Sequence, residues 1–168
     1  LSEKIKRNVN EWLEAFAHAV VIVIILYFLA WPFTIKGSSM EDNFFTGDRI
    51  IICRVMVYAG AIDRGDVVVC EGSGTKDIIK RVVGLPGDQI EISDGHVYIN
   101  GEVLVEPYVK EDYTNGSLSL TLGVDEYYLL GDNRSISQDS RNTGPFTRKQ
   151  ILGKTIAKWY PFNSLQFY

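Results

Sequence analysis

The sequence predicts a mainly β domain of antiparallel strands, carried on one N-terminal transmembrane helix. Three observations predict it. Residues Ala15–Ile35 contain no Asp, Glu, Lys or Arg. Beyond them, short runs rich in Ile and Val recur, and no long stretch carries the 3.6-residue period of an amphipathic helix. Asp94-Gly95 and Asn100-Gly101 punctuate the middle of the chain. Such pairs favour the tight turns of β-hairpins, because both residues tolerate positive φ.

The uncharged run comes first. At 1.5 Å per residue it spans about 30 Å as a helix, the thickness of a bilayer core. Its apolar residues face all sides, and His18 is its one imidazole. Trp31-Pro32-Phe33 follows rather than an Ala-x-Ala cleavage site, so the run reads as an uncleaved anchor. Trp12 and Trp31 fall at its two ends, where indoles favour the interface. Lys4, Lys6 and Arg7 precede it and only Lys36 follows closely, which by the positive-inside rule keeps the N-terminus in the cytoplasm. The expected organisation is a cytoplasmic segment over 1–14, an anchor over 15–34 and an extracytoplasmic β domain over 35–168. The chain starts at Leu1, so its natural N-terminus is expected to lie upstream.

Strands are expected at Arg49–Tyr58, Asp66–Cys70, Ile78–Val83, Gln89–Ile92, His96–Ile99, Glu102–Val105, Glu126–Leu130 and Ile151–Tyr160. Leu85-Pro86-Gly87-Asp88 is a turn by composition. Tyr113–Ser117 reads as an exposed loop, and small helical turns are expected after Met40 and near Thr147–Gln150. Phe44-Phe45, Met56–Ala61 and Trp159–Phe162 are candidates for dipping into the membrane interface.

With 168 residues the chain holds one domain and an extra element. A net charge of −4 leaves no electrostatic footprint for nucleic acid. The two cysteines, Cys53 and Cys70, lie singly in apolar segments and read as buried thiols, although one disulfide is open to an exported domain. Two histidines without ligand spacing make zinc a poor fit.

The chemistry gathers at three places. Ser39, in Ile35-Lys36-Gly37-Ser38-Ser39-Met40, would lie close to the membrane surface. A serine hydroxyl needs a base to take its proton. His96 is the one imidazole in the outer domain and follows a tight turn, so a Ser-His-Asp triad has little to stand on. A lysine serves if its amine is neutral, which requires removal from water. Lys80 shares a strand face with Ile78 and Val82, while Arg81 points the other way with Ile79 and Val83. The third place is the polar stretch Gly131–Gly144. Its two acids and two arginines sit between apolar flanks, where a mutually satisfied network could form.

Together these segments resemble bacterial type I signal peptidase, in its short Gram-positive form with a single anchor. Gly37-Ser38-Ser39-Met40 matches the family's nucleophile pattern. Lys80–Asp88 matches Lys-Arg-Val-Val-Gly-Leu-Pro-Gly-Asp without a gap, and Gly131–Arg141 matches the third motif. The likeness spans essentially the whole chain, with Gly47-Asp48 and Gly153–Pro161 also agreeing.

The resemblance implies a peptidase domain of the signal peptidase and self-cleaving repressor type, with Ser39 as nucleophile and Lys80 as general base. It implies that Ser137 bonds the lysine amine and that Asp132, Arg134, Asp139, Arg141 and Arg81 brace the site. Signal peptides of secreted preproteins would be cut after a small residue, beside the bilayer and in reach of the export translocon, with no metal or cofactor. Ile35, Gly37, Met40 and Ile79 are the expected substrate contacts. Asp42-Asn43-Phe44 departs from the family's usual Pro-Thr-Leu, which bears on the adjacent pocket wall. Gly37 carries no hydroxyl, so the oxyanion would rest on the Ser39 N–H and a second donor, for which Ser38 is a candidate. A self-cleaving repressor-type peptidase would lack the anchor and carry a DNA-binding segment. A tethered binding module would need neither Ser39 nor Lys80.

Overall fold

The structure, a computed structural model, describes residues 3–72, 74 and 76–168, with side chains from residue 7 onward. The long helix α1 runs over Glu3–Leu29. Its segment Arg7–Leu29 has a mean hydropathy of 2.2 and none of it is buried, so by length and composition it could cross a membrane. The helix ends earlier than the apolar run. Pro32 cannot supply the N–H that a continuing helix needs. Trp31–Thr34 instead forms a strand, β1, paired antiparallel with β2 (Arg49–Cys53). The last residues of the expected anchor therefore belong to the β domain.

The expected strand over Arg49–Tyr58 also breaks, at Cys53. Arg54–Tyr58 is a short helix, α2, which buries Val57 and leaves Val55 and Tyr58 exposed. It then leads to β3 (Val67–Glu71) and the long strand β4 (Asp77–Gly84). The middle of the chain forms β5 (Gln89–Ser93), β6 (His96–Ile99) and β7 (Glu102–Val103), so the last of these stops short of Val105. Asp94 and Asn100 have φ of 51° and 54°, and the glycines after them are positive too, as the hairpin turns require.

Leu118–Thr121 is a strand, β8, that the sequence reading missed. Its Leu-Ser-Leu-Thr alternation is period-2, but too short to stand out from a loop. After it come β9 (Glu126–Leu130), the short helix α3 (Ser140–Thr143), β10 (Phe146–Thr147), a 3₁₀ turn over Arg148–Gln150 and β11 (Ile151–Tyr160). A second 3₁₀ turn and β12 (Gln166–Phe167) close the chain.

The main sheet has the order β1-β2-β11-β3-β4-β9-β10, with β12 alongside β11; a smaller sheet has the order β7-β6-β5-β8. All pairings are antiparallel. One apolar cluster joins Val68, Cys70, Val82 and Leu129 on one side of the main sheet. A second joins Ile35, Met40, Phe44, Val69 and Ile79 on the other. A third packs the small sheet against Val83, Tyr128 and Leu130. Along β4, partner strand β9 is in register only from Arg81 onward, while β3 pairs with residues from Asp77 to Arg81. The first half of β4 thus has one edge free of strand pairing, and that is where the chemistry gathers.

Candidate active site

Ser39 stands on a turn held from two sides. Gly37 occupies φ 97°, in the region that disfavours side chains. Its N–H donates to Thr46 Oγ1 at 2.9 Å, and the Thr46 hydroxyl donates back to Gly37 O at 3.0 Å. On the other side, Asn133 N donates to Ser39 O at 3.0 Å and Asn133 Nδ2 donates to Ser38 O at 3.3 Å. The Ser39 N–H donates to no acceptor among the described residues and is free for an oxyanion.

Lys80 approaches from β4. Its Nζ lies 2.8 Å from Ser39 Oγ and donates to Ile79 O at 2.9 Å. The residue is 2% exposed, and among the described residues no carboxylate forms an ion pair with it. Burial lowers its pKa from the usual 10.5, against weaker opposing pulls from Cys70, Asp139 and Asp132. Burial also pushes the Cys70 thiol up to about 12. The site thus brings a buried amine, its pKa lowered by burial, into contact with a hydroxyl.

The polar stretch surrounds this pair, with pairings the sequence did not disclose. Asp132 takes Arg81 in a two-bonded fork, at 2.8 and 2.6 Å. Burial would lower the Arg81 pKa, but the Asp132 bond and charge override it and the net shift is upward. Asp139 accepts from Arg141 through both oxygens at 2.9 Å and from Gly131 N at 3.1 Å. Burial would raise the Asp139 pKa; the Arg141 bond and charge hold it below 3.8. Arg134 pairs with neither acid. It forks onto Glu106 at 2.9 and 2.5 Å, donates to Thr114 Oγ1 and reaches Gly131 O at 3.0 Å.

Glu106, Thr114, Tyr108 and Asn43 are thus parts of the bracing that sequence reasoning missed. Tyr108 lies under the Arg81 guanidinium at 4.0 Å, and Asn43 Nδ2 donates to Asp132 Oδ2 at 2.8 Å and to Tyr108 O at 2.7 Å. No local spacing links these residues, and a lone acid between Leu104 and Tyr108 is an unremarkable sequence signal. Thr114 is 3% exposed, so the stretch Tyr113–Ser117 is not a wholly exposed loop.

Ser137 departs from expectation. Its Oγ is buried without a hydrogen-bond partner and does not bond the amine, whose contacts go to Ser39 and Ile79. The hydroxyl is set instead against Gly131, where a Cβ would collide with it. The expected substrate contacts are mostly brought together. Ile35, Met40 and Ile79 are 0%, 1% and 4% exposed in one cluster with Phe44, while Gly37 is exposed. Phe44 stacks on Tyr168 at 5.2 Å, so it is a buried wall and not a membrane contact; Phe45 and Phe162 remain exposed.

Comparison with known proteins gives a consistent result. Residues 9–160 match the family described as "Signal peptidase, peptidase S26". The chain is 35% identical to signal peptidase I S of Bacillus subtilis over 174 residues, covering 96% of this chain and 94% of that one. It is 33% identical to signal peptidase IB of Staphylococcus aureus over 180 residues, with coverage of 96% and 94%. A solved signal peptidase I from Enterococcus faecalis aligns with a TM-score of 0.50 at 31% identity, covering 55% of this chain and 94% of that one.

Proposed function

The chain belongs to the signal peptidase family, peptidase S26, and from that premise we propose a Ser-Lys mechanism that removes signal peptides after a small residue. The observation that carries the mechanism is the 2.8 Å approach of a buried lysine amine, with no ion pair among the described residues, to Ser39 Oγ. Neutral Lys80 takes the Ser39 proton as Oγ attacks the scissile carbonyl. The Ser39 N–H stabilises the oxyanion. The lysine, now an ammonium, protonates the departing amine, leaving an acyl-enzyme and a neutral base. Lys80 then activates the water that releases the signal peptide.

Substrate geometry follows from the open edge of β4. The Ile79 carbonyl faces the Lys80 amine and not β3, so the edge from Asp77 to Lys80 can accept an added strand. Alternate side chains of that strand point toward Ile35, Met40, Phe44 and Ile79. Walls so tightly packed leave room for small groups at the first and third positions before the cut, which accounts for an Ala-x-Ala preference.

The anchor sets the location. α1 crosses the cytoplasmic membrane once, with Lys4, Lys6 and Arg7 inside and the β domain on the extracytoplasmic face. Residues 1–14 then act as cytoplasmic segment, the rest of α1 up to Leu29 as anchor, and the β domain from Trp31 onward as catalytic domain. The preprotein, the bilayer and, at the point of export, the translocon are its partners.

A panel of synthetic signal peptides, varied at the two small positions, tests the reading. Mass spectrometry should place one cut after the small residue, with Leu at either position blocking it. A cut elsewhere, or undiminished cleavage by Ser39→Ala, would refute the assignment.

A further inference from the structure

A second site lies away from the dyad, where the anchor meets the β domain. Helix α2 is tied to the last turn of α1. The Tyr58 and Phe28 rings meet edge to face at 6.3 Å, and the Arg54 guanidinium lies over Tyr27 at 5.0 Å and Trp31 at 5.5 Å. Beneath α2, toward the start of β11, is a cavity of about 300 Å³. Arg54, Arg148 and Lys149 line it, together with the apolar side chains of Val57, Tyr58 and Ile151.

The charge there is unbalanced. Arg148 pairs with Asp125 at 3.3 Å, but both side chains are over two-fifths exposed, at 47% and 41%, so the pair is weak. Lys149 forms no ion pair among the described residues. Arg54 Nε is buried and has no hydrogen-bond partner. Three cations around a partly apolar cavity, with one buried donor unmet, suit an anion that carries its own apolar portion.

The position narrows the choice. Two of the residues that line the cavity, Arg54 and Tyr58, touch Tyr27 and Phe28 in the last turn of the spanning helix, the turn that would meet lipid headgroups. We propose that this cavity binds the headgroup of an anionic phospholipid of the outer leaflet. The phosphate sits between Arg54, Arg148 and Lys149, and the acyl chains run down beside Tyr58 and Phe28. A bound lipid would fix the tilt of the β domain on its anchor, and hence the height of Ser39 above the membrane. The proposal rests on the reading that α1 spans the bilayer.

The test uses the full chain in vesicles of phosphatidylcholine alone, or of phosphatidylcholine and phosphatidylglycerol in equal parts. Carbonate extraction first reports whether the chain is embedded. Native mass spectrometry after mild detergent release then counts retained lipids. Expected is selective retention of phosphatidylglycerol, weakened roughly fivefold for each charge removed in R148Q/K149Q and, separately, in R54Q. K76Q, a charge removed elsewhere, should leave retention unchanged. R148Q/K149Q should still cleave a soluble peptide at the parent rate, which reports an intact fold.

A chain that carbonate extracts overturns the spanning helix and this proposal together. An embedded chain that holds phosphatidylglycerol no better than phosphatidylcholine, or whose R148Q/K149Q variant retains it fully, overturns this proposal alone. Displacement of the lipid by inorganic phosphate at equal concentration would show a free-phosphate site and also overturn it.

Discussion

Lys80 and Arg81 are neighbours on β4, both buried, at 2% and 8% exposure, and their pKa values move in opposite directions. Arg81 meets Asp132 through two bonds, which override the burial that would otherwise lower its pKa. Lys80 meets a hydroxyl and a carbonyl, and burial lowers its pKa. Two further buried cations also face carboxylates: Lys158 lies 3.5 Å from Asp48 and donates to Asn43 O at 3.0 Å, and Arg134 forks onto Glu106. Three buried cations thus have carboxylates, and the one beside Ser39 has none among the described residues. The presence or absence of a carboxylate opposite is what separates the two environments.

The comparison can be broken most sharply at Lys80. Lys80→Met should reduce peptide cleavage by about 10⁴-fold or more, since neither proton transfer nor leaving-group protonation survives. The same variant should be more stable at neutral pH, because a buried amine is exchanged for an apolar chain of similar size. Peptide assays and urea unfolding read the two effects, and a variant that lost stability would contradict the uncharged amine.

Asp132→Asn tests the other member. It leaves the Arg81 charge buried with no anion opposite, and unfolding in urea should show a loss of about 3–5 kcal/mol. Gly131→Ala comes next. An added Cβ would stand 2.5 Å from Ser39 O and collide with Ser137 Oγ, so the nucleophile must shift. A displacement of that kind should lower kcat by about 10–100-fold with a smaller change in KM, measured by steady-state kinetics.

The smallest effect is graded, in pH. The protonated amine is inert as a base, so the rate should rise with pH through the lowered Lys80 pKa and then level off. A bell centred below neutrality would contradict a lysine base. Stability has matching signs. The folded Lys80 binds its proton less tightly than the unfolded one, so its contribution grows as pH rises toward 10.5. Asp139, held below 3.8 when folded, contributes fully above that value and loses its contribution as pH falls through the folded pKa.

Much of this was legible in the residues. The apolar run, the Asp-Gly and Asn-Gly turns and the Ile- and Val-rich strands are signals carried within a few residues of chain. Three motifs in order named Ser39, Lys80 and the polar stretch as one site through family resemblance. Less legible was where local signals compete. Pro32 ended the helix inside an unbroken apolar run, and the apolar stretch after Arg49 stayed a strand only to Cys53, giving way to a helix over Arg54–Tyr58, where Arg54 lies against Tyr27 and Trp31.

By itself the sequence determined the element types and the chemical inventory, because side-chain period and turn preference act over short stretches of chain. Only the tertiary structure decided the partners. It brought Lys80 to Ser39 across 41 positions and Arg134 to Glu106 across 28, and it left Ser137 without its expected bond. Which carboxylate faces which cation depends on how distant segments close on one another, and that closure is governed by packing of the whole core.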